Sequence, residues 1–109
     1  MEIEWSLLAS RQMDGILDFV EAEYGSMTAK KVFEKFEANI CSLQRYPNRG
    51  ILDSDLSDSQ FTVRHLQLFP NVLYYVVKGD FIIISAIMHY KQSPKTVCKT
   101  VMRSLESYR

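Results

Sequence analysis

The chain has 109 residues, 47% of them hydrophobic and 24% charged, which suits one compact domain over residues 1–109. No window approaches the roughly 18 consecutive apolar residues of a membrane span. A formal net charge of zero argues against a surface built wholly to grip nucleic acid.

The zero total hides an uneven distribution. Met1 to Gly25 holds six acids against Arg11 alone, whereas Lys91 to Arg109 holds five bases against Glu106 alone. The basic end suits a local anionic partner or a docked acidic peptide, and equally suits a solvated helix face.

The opening "EIEWSLL" is a short strand candidate leading into a helix, with Ser6 as N-cap. Glu2 and Glu4 stand where a secretory leader needs positive charge, so the expected location is the cytoplasm. From Leu7 to Tyr24 the apolar residues Met13, Ile16, Leu17, Val20 and Tyr24 recur at helical spacing, and Gly25 supplies the stop. A second helix starts near Ser26 or Thr28. Its expected buried stripe is Ala29, Val32, Phe33, Phe36, Ile40 and Leu43, with Lys30, Lys31, Glu34, Lys35 and Glu37 facing out. So short a joint predicts an antiparallel helical hairpin.

"RYPNRG" ends that helix, because Pro47 pushes Tyr46 out of helical angles and Gly50 marks a turn. The acidic, Ser-rich "ILDSDLSDSQ" is expected as a surface loop. Three strands follow, over 61–68, 72–78 and 81–90, rich in β-branched and aromatic residues. "FPN" and "KGD" supply tight turns, giving an antiparallel meander. Two-residue turns would pair Tyr75 with Ile84, Tyr74 with Ser85, and Arg64 with Tyr75 on the face of Tyr90. A slip of one residue would exchange the faces. The C-terminal segment is a helix with Ser93 as N-cap and Pro94 at its first position. Val97, Val101, Leu105 and Tyr108 form its apolar stripe. Lys95, Lys99 and Arg103 recur every four residues as a basic stripe on another face. The predicted fold class is therefore α+β, in the order β-α-α-β-β-β-α, with the hairpin covering the sheet.

Cys41 and Cys98 show no C-x-x-C or zinc-ligand spacing. They are expected as free thiols, Cys41 buried and Cys98 near a helix surface, and no metal or cofactor is implied. There is no Gly-rich phosphate loop, G-x-S-x-G elbow or H-E-x-x-H. What remains is Arg64, His89, Tyr90, Lys91 and Arg49. Metal-free RNA cleavage needs a base for the 2′-OH, an acid for the 5′-oxygen and cations around the phosphorane, and these are the right residue types. Each also has a structural reading: a hydrogen-bonded strand-end histidine, a strand arginine paired with an acid of the 53–58 loop, a core ring with a wet hydroxyl, a turn cation.

The order of these pieces is informative. A Trp-containing first strand and helical hairpin precede "YPNRG", then "VRHLQLFPNVLYYVVKGDFIIISAIMHYKQSP" and the last helix. The chain resembles the RelE/ParE toxin superfamily of type II toxin–antitoxin pairs, over nearly its whole length and most strongly from Tyr46 to Pro94. The resemblance implies a RelE/ParE-like fold and a growth-inhibiting toxin of plasmid-stabilisation type, neutralised by a cognate antitoxin that wraps it with an extended or helical segment. ParE-like members inhibit DNA gyrase. RelE-like members enter the ribosome and cut mRNA as metal-independent endoribonucleases (mRNA interferases). A non-toxic, repurposed binding module of the same fold is a third possibility. Arg64 and His89 match shared positions, and Tyr90 matches the His-Tyr ending of some nucleases. If the chain is RelE-like, the catalytic set is Arg64, His89, Tyr90 and Lys91. Asn71, however, stands where several nucleases carry a catalytic arginine. Lys91 replaces a frequent arginine and loses planar bidentate phosphate binding. The resemblance is closer to the ParE-like branch, for which Arg49, Lys95, Lys99 and Arg103 are the expected target-binding residues.

Overall fold

A computed structural model describes residues 1–109. Strand β1 (Glu2–Trp5) leads into helices α1 (Leu7–Tyr24) and α2 (Ser26–Arg45), then β2 (Ile51–Leu52). Strands β3 (Val63–Leu68), β4 (Asn71–Lys78) and β5 (Phe81–His89) follow, then α3 (Pro94–Leu105) and a 3-10 turn at Glu106–Tyr108. The expected α+β order is observed. Ser6 Oγ accepts from Ala9 N–H at 2.9 Å and Ser93 Oγ from Thr96 N–H at 3.2 Å, so both N-caps are as expected. Gly25 joins α1 to α2 at φ +93°, in the region that L side chains rarely adopt.

The sheet is larger than the meander. Its order is β1-β5-β4-β3-β2, with β1 parallel to β5 and the other pairs antiparallel. The two-residue β2 arises inside the stretch expected as loop, pairing Ile51 with His65 and Leu52 with Arg64.

Two apolar layers sandwich this sheet. On one face, α1 and α2 bury Ala9, Met13, Phe36, Ile40 and Leu43 against Leu66, Leu73, Tyr75, Ile82, Ile84 and Ile87. On the other, α3 lays Val97, Val101 and Leu105 on Val63, Tyr74, Val76, Ile83, Ala86 and Met88, with Leu56 and Phe61 filling the end. Burial on both sides explains why β5 is continuously apolar instead of alternating.

Ser85 is the exception that sets the geometry. Tyr75 pairs with Ile84 but Tyr74 pairs with Ala86, so Ser85 is an extra residue on β5 and forms a β-bulge. The expected Tyr74–Ser85 pair is thus replaced. The bulge has a buried polar anchor: Ser6 Oγ donates to the Ser85 carbonyl at 2.6 Å, and the Ser85 hydroxyl meets that of Ser104 on α3. It also reverses the face alternation of β5. Ile84, Ile87 and His89 now share the hairpin side with Arg64 and Tyr75, instead of Tyr90 doing so.

Two burial expectations fail on α2. Phe33 is 43% exposed and Cys41 is exposed, because both flank the stripe on the side where the sheet ends at β1. Cys98 is partly buried on α3, as expected. No helix is long and apolar enough to cross a membrane.

Candidate functional site

Three places gather the polar residues singled out from the sequence. The first is the turn after α2. Tyr75, fully buried in the middle of β4, donates its hydroxyl to the Pro47 carbonyl at 2.7 Å and accepts Gly50 N–H at 2.8 Å. Burial pushes its phenol upward, and the Gly50 amide partly opposes this. Arg64 donates to the Gly50 carbonyl at 3.0 Å and to that of Asn48 at 3.4 Å. Arg49 donates to Asn39 Oδ1 on α2 at 2.9 Å. Gly50 is needed here because a Cβ would lie 2.7 Å from the Tyr75 ring and 2.9 Å from the His65 carbonyl. Arg64 therefore holds "YPNRG" against the sheet, while Arg49 ties the same turn to α2. Arg64 pairs with no acid of the 53–58 loop; its neighbour His65 does, with Nδ1 at 2.5 Å from Asp53 Oδ2.

The second place is the end of β5. His89 N–H donates to Gln92 Oε1 at 2.8 Å, and Lys91 N–H donates to His89 Nδ1 at 3.1 Å. A backbone donor on Nδ1 leaves Nε2 as the ring nitrogen open to an outside group. The Tyr90 ring stacks obliquely on His89 at 4.9 Å and on Phe69 at 5.0 Å, with Lys91 Nζ 5.7 Å from its centroid. His89, Tyr90 and Lys91 are thus together and exposed.

Arg64 is not with them. It pairs with Tyr75, whereas His89 pairs with Asn71, four residues along β4 and on the opposite side of it. At about 3.3 Å per residue and 4.8 Å per strand, their Cα atoms lie about 16 Å apart. The Arg64 guanidinium also reaches the other way, to the turn. The four residues expected as a catalytic set do not converge on one phosphate.

The third place is α3. Lys95, Lys99 and Arg103 are all exposed, and none forms an ion pair within the chain. Like charges at i and i+4 destabilise a helix by about 0.2–0.5 kcal/mol per pair, and no acid of α3 offsets them. The helix is nonetheless fixed by Val97, Val101 and Leu105. Its end is held by Arg109, which donates to Asp58 Oδ2 at 2.8 Å and stacks over the Phe61 ring at 5.1 Å. That hydrogen bond, with amide donors from Phe61 and Gln60, holds the Asp58 carboxyl below the usual range. Arg49 lies against α2, on the far side of the sheet from this stripe.

The sequence reading missed a groove of about 760 Å³ between the hairpin and the β3–β4 turn. Ile16, Phe19, Tyr24 and Phe36 line it from the helices, and Phe69, Ile87 and His89 from the sheet. Phe19, Tyr24 and Phe69 are 61%, 68% and 69% exposed. The available signal is that Phe19, a large apolar residue, falls outside the stripe expected for α1.

The family comparison decides the identity of this arrangement. Residues 3–94 match the model of the ParE toxin of type II toxin–antitoxin systems, parDE. The chain belongs to the ParE toxin family. A solved chain described as a chromosomal ParDE TA system from P. aeruginosa shares the fold, with a TM-score of 0.65 and 24% sequence identity. The alignment covers 82% of this toxin and 95% of that chain. No curated protein matches. The matched family region stops at the start of α3, so the basic stripe lies outside it.

Proposed function

We propose that this toxin acts as a ParE-like inhibitor of an essential cytoplasmic target such as DNA gyrase, gripping it through the basic face of α3. One observation carries the proposal: Lys95, Lys99 and Arg103 form an exposed row without internal counter-ions, on a helix anchored by its opposite face. Target contact is assigned to α3 and not to Arg49, which is engaged with Asn39. A cognate antitoxin neutralises the toxin, and an amphipathic helix of that partner fits the apolar groove lined by Phe19, Tyr24 and Phe69.

A second reading has its own observation. His89, Tyr90 and Lys91 cluster at an exposed sheet end, with Nε2 of His89 open and a ring available to stack on a base, which suits a RelE-like mRNA interferase. The separation of Arg64 from that cluster weighs against it. Induction of the toxin alone in a bacterial host tests both. The ParE-like reading predicts growth arrest with impaired gyrase supercoiling and unchanged mRNA 5′ ends. New codon-positioned 5′ ends on translating ribosomes would replace it with the nuclease reading. Normal growth with soluble, folded protein would indicate a non-toxic binding module.

A further inference from the structure

The outer face of α3 carries charge without apolar anchors. Lys95, Lys99 and Arg103 are exposed and in no ion pair, and successive members stand about 6 Å apart along the helix axis. Lys91, four residues ahead and just outside the helix, is exposed and unpaired as well. By contrast, Arg49, Arg64, Lys78 and Arg109 all donate to groups within the chain. No large apolar residue of Pro94–Leu105 is exposed: Val97, Val101 and Leu105 are buried and Met102 is half-buried. A protein–protein contact centres on aromatic or aliphatic anchors and is depleted in lysine. A row of unpartnered cations with no anchor among them fits a polyanion instead.

An open ring stands at the N-terminal end of this row. Tyr90 is 49% exposed, and its ring centroid lies 5.7 Å from Lys91 Nζ. The polar side chains that begin the helix are already used. Ser93 and Thr96 hydroxyls bond to each other at 2.9 Å, and Gln92 Oε1 accepts His89 N–H. Base edges would therefore find little to read. We propose that the α3 face contacts single-stranded DNA, with successive phosphates following Lys91, Lys95, Lys99 and Arg103 and a base stacked on Tyr90. The pitch of about 6 Å per cation is close to the spacing of phosphates along an extended strand. Stacking on Tyr90 needs an unpaired base, which favours a single strand over a duplex. The cations are donors only, so a ribose 2′-OH gains no acceptor here and RNA has no advantage. The contact is local, in keeping with a net charge of zero. This inference rests on the assignment of α3 to the target and names what that face touches.

The probe is a fluorescein-labelled oligothymidylate of about 12 nucleotides, within the usual range of single-strand site sizes, titrated with the full-length toxin and read by anisotropy. Four phosphate contacts predict binding about fiftyfold weaker when salt rises from about 50 to about 200 mM. Lys95→Gln with Lys99→Gln and Arg103→Gln should reduce that salt effect to about threefold. Tyr90→Ala should weaken binding about tenfold and leave the salt effect unchanged. Lys30→Gln with Lys31→Gln, exposed cations on α2, should change nothing. Four results would overturn the proposal: no saturable binding, a duplex bound as tightly as the single strand, an RNA strand bound tenfold more tightly, or equal losses in the α2 and α3 variants. If no strand binds while charge reversal on α3 still abolishes growth arrest, the face grips a protein surface. The DNA contact then falls and the assignment of α3 to the target stands.

Discussion

Replacing Tyr75 by Phe tests how the "YPNRG" turn is held. The ring stays, so the core packing around this fully buried residue is preserved, and only the hydroxyl is lost. Two backbone groups then lose their partner: Gly50 N–H, which is buried, and the Pro47 carbonyl, which is partly exposed. A buried donor left unpaired costs about 1–3 kcal/mol. We take about 2 kcal/mol for Gly50 and about 0.5 kcal/mol for the better-hydrated carbonyl, giving about 2.5 kcal/mol. For a chain of this size that corresponds to a melting temperature lower by about 10 °C. Urea unfolding followed by circular dichroism measures it, with an unchanged m-value expected because the surface exposed on unfolding is the same. A loss under about 0.5 kcal/mol would mean that water replaces the hydroxyl, and the claim that Tyr75 fixes the turn would fail.

The remaining expectations concern neighbouring features. Gly50→Ala should destabilise by about 1–3 kcal/mol, because the added Cβ meets the Tyr75 ring and the His65 carbonyl; wild-type stability by urea unfolding would contradict the close approach. Asp58→Asn should flatten the acid limb of the stability–pH curve. The folded carboxyl is held below 3.8 by Arg109. Its contribution is thus fully present above the unfolded value and disappears as the pH falls through the lower folded one. An identical acid limb in wild type and variant refutes this. Arg64→Ala should lower stability by about 1 kcal/mol through its bonds to the turn, whereas His89→Ala should leave stability nearly unchanged. In the ParE-like reading, growth arrest by folded His89→Ala matches wild type, and loss of arrest in that variant points to the nuclease reading.

Much of the fold was legible because local signals and tertiary packing agree. Ser6, Ser93 and Pro94 mark helix starts by chemistry that acts within one turn, and the Gly79-containing turn fixes Tyr75 opposite Ile84. Contacts between distant segments were not legible. The parallel docking of β1 on β5 joins residues about eighty apart in sequence, and nothing local encodes it. The bulge at Ser85 depends on Ser6 and Ser104, which lie on two other elements. Without the bulge, strict alternation placed Arg64 and Tyr75 with Tyr90 instead of His89. The candidate site shows the same limit. Residue types suggested that Arg64 and His89 cooperate, but the register separates them along β4. Phe33 and Cys41 looked buried because helical periodicity does not reveal where a sheet ends. The basic row on α3 was legible outright, since a spacing of four residues on one helix needs no tertiary information.

That row is also where the account is most exposed. Lys95→Glu, Lys99→Glu and Arg103→Glu together alter only exposed side chains, and the helix keeps Val97, Val101 and Leu105 in the core. Growth of cells induced for this triple variant is the direct measurement, with soluble yield and circular dichroism matched to wild type. We predict that a wild-type chain arrests growth and that the folded triple variant does not. Arrest by the folded triple variant as strong as that by wild type would contradict the assignment of α3 to the target.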